Sequence, residues 1–261
     1  MKVRTSWQVT KSVWYALFMR EMLSRMFGNR YAWFWLLAEP MMFVGLMVAL
    51  RSVMSASSNM AGVEMIPWMV IGLTAFFMFR DGMTRAMGAV NTNKGLFAYR
   101  QVKPVDTVLV RTFVEAVVHG TVIFLFIITL MLLGFDMHPY NLVMSLFAWL
   151  SIWLLGLSVG LVLSVVVTVI PDLSKIVNVM TLPLMILSGA FIPIQMVPYG
   201  MQQVLMYNPV LHGVEFLRLQ YFNSYWTMSD ISIAYLYQWL LPFLALGLLL
   251  HLRFELKLKQ K

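Results

Sequence analysis

Six long apolar runs, separated by polar segments, constrain this sequence more than any other feature. A helix that crosses the hydrocarbon core of a bilayer, about 30 Å thick, needs about 20 mostly apolar residues. The chain is 61% hydrophobic and 11% charged, whereas soluble domains carry about 25% charged residues. The pattern therefore predicts an all-α polytopic membrane protein with six transmembrane helices. The predicted spans are approximately residues 31–53, 65–80, 107–134, 142–170, 176–192 and 233–252.

The distribution of Lys and Arg predicts the orientation, because cytoplasmic loops collect these residues. All but two of the 19 basic residues fall on one predicted side, which holds both termini, and the other side keeps Arg51 and Arg218. We therefore expect a multi-pass protein with both termini in the cytoplasm. The net charge of +8 forms no continuous patch, so we expect membrane lipid, and no nucleic acid, as a partner.

The N-terminal segment differs from the spans. Residues 7–27 place apolar side chains at helical spacing and leave Lys11, Arg20, Glu21 and Arg25 on a charged face. This pattern is typical of an amphipathic helix that lies in the membrane interface. We therefore divide the chain into a cytoplasmic interface helix, residues 1–30, and a six-span domain, residues 31–261. A simple anchor with no further role is the alternative for the first part.

The stretch 187–218 is too apolar for an ordinary surface loop, yet prolines interrupt it repeatedly. Broken backbone at membrane depth is tolerated only where protein or a water-filled cavity surrounds it. We therefore predict a re-entrant hairpin between spans five and six, over about residues 193–221. Its first helix is expected to start at Pro193 or Pro198, with a turn at Asn208-Pro209. A kinked extension of span five through residue 207 is the alternative.

Polar groups of this hairpin are expected to frame the exit of a conduit. Glu215 and Arg218 are three residues apart and are expected to pair, and Gly189 and Gly200 are expected to permit bends. Gln195, Gln202, Gln203 and Asn208 are expected to face water or backbone. The residues assigned to the exit hairpin are Pro193, Pro198, Tyr199, Gln203, Tyr207, Asn208, Pro209, Glu215 and Arg218.

Aromatic residues concentrate at the predicted outer rim, where they favour either an anchoring belt or stacking surfaces for sugar rings. The pattern leaves both interpretations open. These residues are Tyr199, Tyr207, Tyr221, Phe222, Tyr225 and Trp226.

Motifs for chemistry within the chain are weak. No G-x-x-x-x-G-K-[ST] phosphate loop occurs, so another chain must bind ATP if ATP drives this protein. Cysteine is absent and histidine numbers 4, and no metal site is expected. Residues 156–160 match the G-x-S-x-G nucleophile elbow, but they lie within an apolar run, so the G-x-x-x-G helix-packing interpretation is favoured.

Ionisable residues inside apolar spans are expensive and usually functional. Glu39, Glu115 and His119 are candidates for proton coupling or for an intramembrane transferase. The favoured interpretation is that the two glutamates pair with Arg30 or Arg111.

The order of these elements, with the fifth-span exit "SGAFIP...VP...NP....E..R", resembles the membrane subunit of ABC-2 type transporters. The stretches "LLAEP" and "YNPVLHGVEFLR" are similar to those of the capsular polysaccharide exporters. This resemblance implies a homodimer bound to two ATPase subunits that export a lipid-linked polysaccharide across the bacterial inner membrane. It further implies periplasmic and outer-membrane export partners, ATP and Mg on the partner ATPase, and no cofactor or catalytic residue in this chain. Exporters of O-antigen, teichoic acid or drugs share the architecture.

The resemblance also assigns regions to roles. Arg25, Arg30 and Lys11 would lie at the cytoplasmic entry. Because an aromatic run that suits sugar rings follows these arginines, the residues assigned to substrate access are Arg25, Arg30, Tyr31, Trp33, Trp35 and Glu39. The loop after span two would hold the coupling helix that meets the ATPase, with Asn91, Lys94, Tyr99, Arg100 and Lys103.

Overall fold

The computed structural model describes residues 5–28, 30–54 and 59–260. These residues are mostly α-helical, as the apolar runs predict. The helices are α1 Ser6–Phe27, α2 Ala32–Met54, α3 Met65–Met87, α4 Ala89–Thr92, α5 Pro104–Leu132, α6 Leu142–Val169, α7 Leu173–Leu187, α8 Tyr199–Leu205, α9 Pro209–Tyr221, α10 Ile233–Arg253 and α11 Glu255–Gln260.

A small antiparallel hairpin follows α2, formed by β1 (Asn59–Met60) and β2 (Val63–Glu64). Its two turn residues, Ala61 and Gly62, both have positive φ, 49° and 90°, as a tight type I′ hairpin turn requires. The all-α prediction missed this hairpin. Part of the loop predicted here, residues 55–58, lies outside the described residues.

Four helices in the described part of the chain, α2, α5, α6 and α10, are long and apolar enough to cross a membrane by length and composition. The other two predicted spans correspond to α3 and α7. Helix α3 carries Arg80, Asp81 and Arg85, and α7 is a shorter apolar helix of 15 residues with an internal Pro183. The fold is therefore that of a helical membrane protein, and the count of six spans stays a prediction.

Three helix boundaries differ from the approximate boundaries predicted for the spans. Helix α3 continues to Met87 and not only to Arg80, because its charged residues pair with neighbouring helices. Helix α7 ends at Leu187 and not at residue 192, and Gly189 follows with a φ of 68°, which favours glycine. The third predicted span begins at Pro104, where a proline in the first helical turn loses no hydrogen bond.

Helix α3 is the core of the molecule and packs tightly on α6. A Cβ at Gly156 would lie 2.7 Å from the carbonyl oxygen of Phe79, and one at Gly160 would overlap Ala86. The G-x-x-x-G interpretation is therefore confirmed. Ser158 between these glycines is buried and donates to the carbonyl of Leu155 at 2.8 Å, so it is not an exposed nucleophile.

Segments predicted on the outer side contact one another. Tyr140 N donates to the carbonyl of Tyr221 at 2.8 Å, and Trp226 N donates to that of Ala61 at 3.2 Å. The Gln195 side chain donates to the carbonyl of Trp226 at 2.9 Å. The loops after α2, α5, α7 and α9 thus lie at one end of the helices.

Candidate functional site

A cavity of about 630 Å³ opens where α1 ends and α2 begins. Five of the six residues predicted for substrate access line it, whereas Trp33 is exposed elsewhere. Arg85 also lines the cavity, and the sequence interpretation missed it because it ended span two at Arg80. The lining residues are Arg25, Arg30, Tyr31, Ala32, Trp35, Leu36, Glu39 and Arg85.

Arg25 is held between two carboxylates. Its Nη1 lies 2.6 Å from Glu115 Oε1 and its Nη2 lies 2.9 Å from Glu21 Oε1. Burial lowers the pKa of Arg25, but the charges of Glu115 and Glu21 outweigh burial, and the pKa is raised. Arg25 therefore fastens α1 to α5 and keeps its charge.

Two further arginines join this cluster. Arg85 Nε lies 3.6 Å from Glu115 Oε1, and Arg111 Nε lies 3.3 Å from Glu21 Oε1. Glu115 thus pairs with arginine as expected, but the partner predicted for it, Arg111, belongs to Glu21. The cluster has three arginines and two glutamates, and the cavity lining itself has three arginines and one glutamate, so both carry an excess of positive charge.

Arg30 differs from Arg25 in its surroundings. Its guanidinium lies 5.8 Å from the centre of the Tyr31 ring, and within the described residues it makes no ion pair. Arg30 is exposed, as are Tyr31, Trp35 and Glu39. The cavity therefore offers an accessible guanidinium beside two aromatic faces, which can bind an anionic group joined to a sugar. The expected pairing of Glu39 with Arg30 is not present.

A second set of ionisable groups, on α3 and α5, is also paired. His119 Nε2 lies 3.0 Å from Asp81 Oδ2, and Arg80 Nε lies 2.7 Å from Asp81 Oδ1. In the described part of the chain, no group of three or more His, Cys, Asp or Glu could hold a metal ion. Glu115 and His119 therefore stabilise helix packing.

At the end of the helices that holds the loops after α2, α5, α7 and α9, the predicted turn at Asn208-Pro209 joins α8 to α9. Pro198 precedes α8, while Pro193 precedes a single 3₁₀ turn, Ile194–Met196. Asn208 caps α9 by accepting from Val210 N at 3.0 Å, and its amide donates to the carbonyl of Leu187 at 3.1 Å. The segment after Leu187 is therefore not a kinked extension of α7.

The Glu215–Arg218 pair fixes this hairpin to the core. Both side chains are fully buried, with Arg218 Nη1 2.7 Å from Glu215 Oε1. Arg218 also donates to the carbonyls of Trp68, Gly189 and Ala190 at 3.3, 2.7 and 3.0 Å. One guanidinium thus ties α9 to α3 and to the segment after α7.

The same pair also contacts side chains of α3 and of the segment after α9. The guanidinium lies 3.5 Å from the centre of the Trp68 ring, and a Cβ at Gly72 would overlap it. Glu215 Oε2 accepts from the hydroxyls of Tyr225 and Thr227 at 2.7 and 2.6 Å. The carboxylate thus also holds the segment after α9.

Several side chains in α8 and in the turn after it are exposed. Tyr199 is 71% exposed and Tyr207 is 75% exposed, and Gln203 is exposed between them. Gln202 instead donates to the carbonyls of Ile194 and Val197. Gly200 lies inside α8 in helical conformation, so the prediction that it permits a bend was wrong.

The six outer aromatics do not form one surface. Tyr221, Phe222 and Tyr225 are buried in the core, because α9 and the loop after it pack on α3. Tyr199, Tyr207 and Trp226 are exposed. An anchoring or stacking role is therefore open only to the exposed three.

At the opposite end, residues 88–103 contain α4 and a 3₁₀ helix, Lys94–Ala98. Phe97 and Val102 are buried against α5 and α6 and anchor the segment. The predicted ATPase-contact residues lie outside this anchor. Lys94, Tyr99, Arg100 and Lys103 are exposed, and Asn91 is half-buried.

Segment 88–103 is attached to α1. The guanidinium of Arg20 donates to the side-chain oxygen of Asn93. Trp14 Nε1 donates to Asp106 Oδ1 at 2.8 Å, and Asp106 Oδ2 accepts from Lys103 N at 3.0 Å. A displacement of the segment would therefore move α1 and, through Arg25, the wall of the cavity.

These features define a helical membrane protein with an exposed basic segment at one end and two short helices, α8 and α9, at the other. The sequence profile described as "ABC-2 type transporter" matches residues 12–222. The chain therefore belongs to the ABC-2 type transporter family.

Several curated proteins are similar over most of their length. The polysialic acid transport protein KpsM of Escherichia coli is 28% identical over 248 residues, 95% of each chain. The capsule polysaccharide export inner-membrane protein BexB of Haemophilus influenzae is 26% identical over 235 residues, 90% of this chain and 88% of BexB. The corresponding protein CtrC of Neisseria meningitidis serogroup B is 28% identical over 211 residues, 80% of this chain and 78% of CtrC.

Proposed function

We propose that this chain is the membrane permease subunit of an ATP-driven exporter of lipid-linked capsular polysaccharide in the bacterial inner membrane. The observation that carries the proposal is the similarity to KpsM, BexB and CtrC across nearly the full chain, within a family of transporter membrane subunits. Exporters of O-antigen, teichoic acid or drugs are the alternative substrate classes.

The proposed topology has six spans, with α3 and α7 as spans two and five and both termini in the cytoplasm. Helices α8 and α9 form a re-entrant hairpin from the outer side. The meeting of the predicted outer loops at one end supports this topology. Pairing of the charges on α3 supports it as well, because paired charges lower the cost of placing this helix in the membrane.

The access cavity is proposed to bind the anionic linkage between lipid and glycan. Arg30 supplies an accessible planar guanidinium that can donate two parallel hydrogen bonds to a phosphate. Tyr31 and Trp35 supply flat faces for the first sugars, and Arg25 positions the wall of the cavity. The excess positive charge of the cluster supports this assignment.

The exposed residues of segment 88–103 are proposed to dock on an ATPase subunit, which binds ATP and Mg. The permease then works as a homodimer with two ATPase subunits and hands the polymer to periplasmic and outer-membrane export proteins. The contacts from this segment to α1 support a route from ATP hydrolysis to the access cavity.

Deletion of the gene in its own host tests the proposed function. We expect loss of surface polysaccharide, accumulation of lipid-linked polysaccharide inside the cell and restoration of export by the intact gene. If the chain were a transferase, its deletion would instead leave an unfinished precursor of the polysaccharide. If it were a proton-coupled transporter, export by the intact host would continue when ATP is depleted and the proton gradient is kept. Either result would contradict the proposal.

A further inference from the structure

A second cavity, of about 360 Å³, lies between α5 and α6 and is almost entirely apolar. Ile123, Phe124 and Trp149 form part of its walls, and its floor includes Ile71 of α3. Both wall helices are among those long and apolar enough to cross a membrane. Once these two helices cross a membrane, the groove between them would open toward hydrocarbon.

The length of the groove matches one leaflet. Along α5 its lining extends from Gly120 to Met131, about 16 Å at the helical rise of about 1.5 Å per residue. Half of a hydrocarbon core about 30 Å thick is about 15 Å. One acyl chain that enters at the loop end of the groove would thus be accommodated along its length.

Two buried hydroxyls line the groove, and that of Tyr221 donates to the carbonyl of Met137 at 2.7 Å, whereas that of Ser145 differs. Ser145 is 5% exposed and lines the cavity, and within the described residues its Oγ has no hydrogen-bond partner. The serines deeper in α6 are satisfied: Ser151, Ser158 and Ser164 each donate to a carbonyl of the preceding turn. Because a buried polar group without a partner is costly, Ser145 points to a ligand that supplies an acceptor.

The depth of Ser145 identifies that acceptor. Helix α6 begins at Leu142, so Ser145 lies one turn into a helix that is long and apolar enough to cross a membrane. In the proposed topology this position is near the depth at which the ester carbonyls of phospholipids join the hydrocarbon. We propose that the groove binds one acyl chain of a membrane phospholipid and that Ser145 Oγ donates to the ester carbonyl of that chain. The lipid belongs to the outer leaflet in the proposed orientation. The inference otherwise needs only that α5 and α6 span the membrane.

Gly120 allows the groove to be filled without disturbing the fold. A Cβ at this position would meet nothing within 4 Å, so the side chain of Gly120→Leu can occupy the groove. Ile128→Phe is the matched control, because Ile128 is exposed on the same helix and does not line the groove. Ser145→Ala removes the hydroxyl alone.

The test uses the purified full chain in nanodiscs with phosphatidylethanolamine that carries a photoactivatable diazirine in its acyl chain. Cross-linked residues are identified by mass spectrometry. We expect labelling of α5 and α6 residues at the groove. In Gly120→Leu this labelling should fall about tenfold, because a leucine displaces about two buried methylenes of the chain, while Ile128→Phe should match the wild type. Each variant must retain the wild-type melting temperature.

An ether-linked probe that lacks the carbonyl separates the two parts of the proposal. Ser145→Ala should weaken labelling by the ester probe and leave labelling by the ether probe unchanged. Equal labelling of wild type and Gly120→Leu would overturn the acyl-chain site. Equal labelling of wild type and Ser145→Ala by the ester probe would overturn the carbonyl contact. Displacement by a lipid-linked glycan, but not by unlabelled phospholipid, would assign the groove to the export substrate and contradict the proposal.

Discussion

Replacing Arg218 by methionine should destabilise the protein severely, because it leaves the carboxylate of Glu215 buried and without its cation. Three backbone carbonyls, at Trp68, Gly189 and Ala190, lose their donor in the same step. Removal of one partner from a buried ion pair costs about 3–5 kcal/mol. Since Arg218 and Glu215 are fully buried, we expect Arg218→Met to lose free energy of unfolding in this range.

The assay is denaturant-induced unfolding of the purified protein in detergent, followed by tryptophan fluorescence. Lys175→Met is the control, because it removes an ion pair with Asp172 in which the side chains are 81% and 83% exposed. Exposed ion pairs of this kind contribute little to the free energy of unfolding. A double variant, Arg218→Met with Glu215→Leu, should recover part of the loss, since an apolar replacement leaves no unpaired charge.

An Arg218→Met variant as stable as Lys175→Met would refute the reasoning that this pair holds the hairpin on α3. So would a double variant less stable than the single one, because the loss could then not come from the unpaired carboxylate. Gly72→Ala gives an independent check. Its Cβ would overlap the guanidinium, so it should destabilise the protein while both charges are kept.

Three further predictions concern the proposed exporter. Charge reversal by Lys94→Glu with Arg100→Glu should reduce co-purification of the ATPase subunit without lowering the amount of permease in the membrane. Unchanged co-purification would contradict the docking role. Arg30→Gln should weaken substrate binding about tenfold or more, since hydrogen bonds to charged groups contribute about 1.5–3 kcal/mol, and should leave assembly with the ATPase intact. Normal export by this variant would contradict a role of Arg30 in substrate binding. A membrane-impermeant thiol reagent added outside should label Gln203→Cys, which is exposed on α8, and should not label Ser158→Cys, which is buried. Labelling of Gln203→Cys from the cytoplasmic side alone would contradict the proposed outer location of α8 and α9.

The sequence predicted the helices well because apolar runs and prolines act locally. The turn at Asn208-Pro209 and the pairing of Glu215 with Arg218 follow from spacing along one segment, and the structure contains both. Five of the six residues predicted for substrate access line one cavity, because they are near neighbours in the chain, while their role in access stays a prediction.

Features that depend on contacts between distant segments were not predictable in the same way. Helix α3 runs past Arg80 because Asp81 and Arg85 find partners on α5, and a span boundary drawn where charges begin cannot anticipate this. Likewise, the sequence does not distinguish Tyr221 and Tyr225 from the aromatic residues that are exposed, but the packing of α9 on α3 buries them. The unpaired hydroxyl of Ser145 becomes visible only when its neighbours are placed.

The central claim is that this chain moves a lipid-linked polysaccharide with energy supplied by another chain. The direct measurement is transport in inside-out vesicles that contain the purified permease, with and without its ATPase subunit. We predict that labelled lipid-linked polysaccharide becomes protected inside the vesicles only when the ATPase subunit and ATP are both present, and that the permease alone hydrolyses no ATP. ATP hydrolysis by the permease alone, or uptake that does not require the ATPase subunit, would contradict the account.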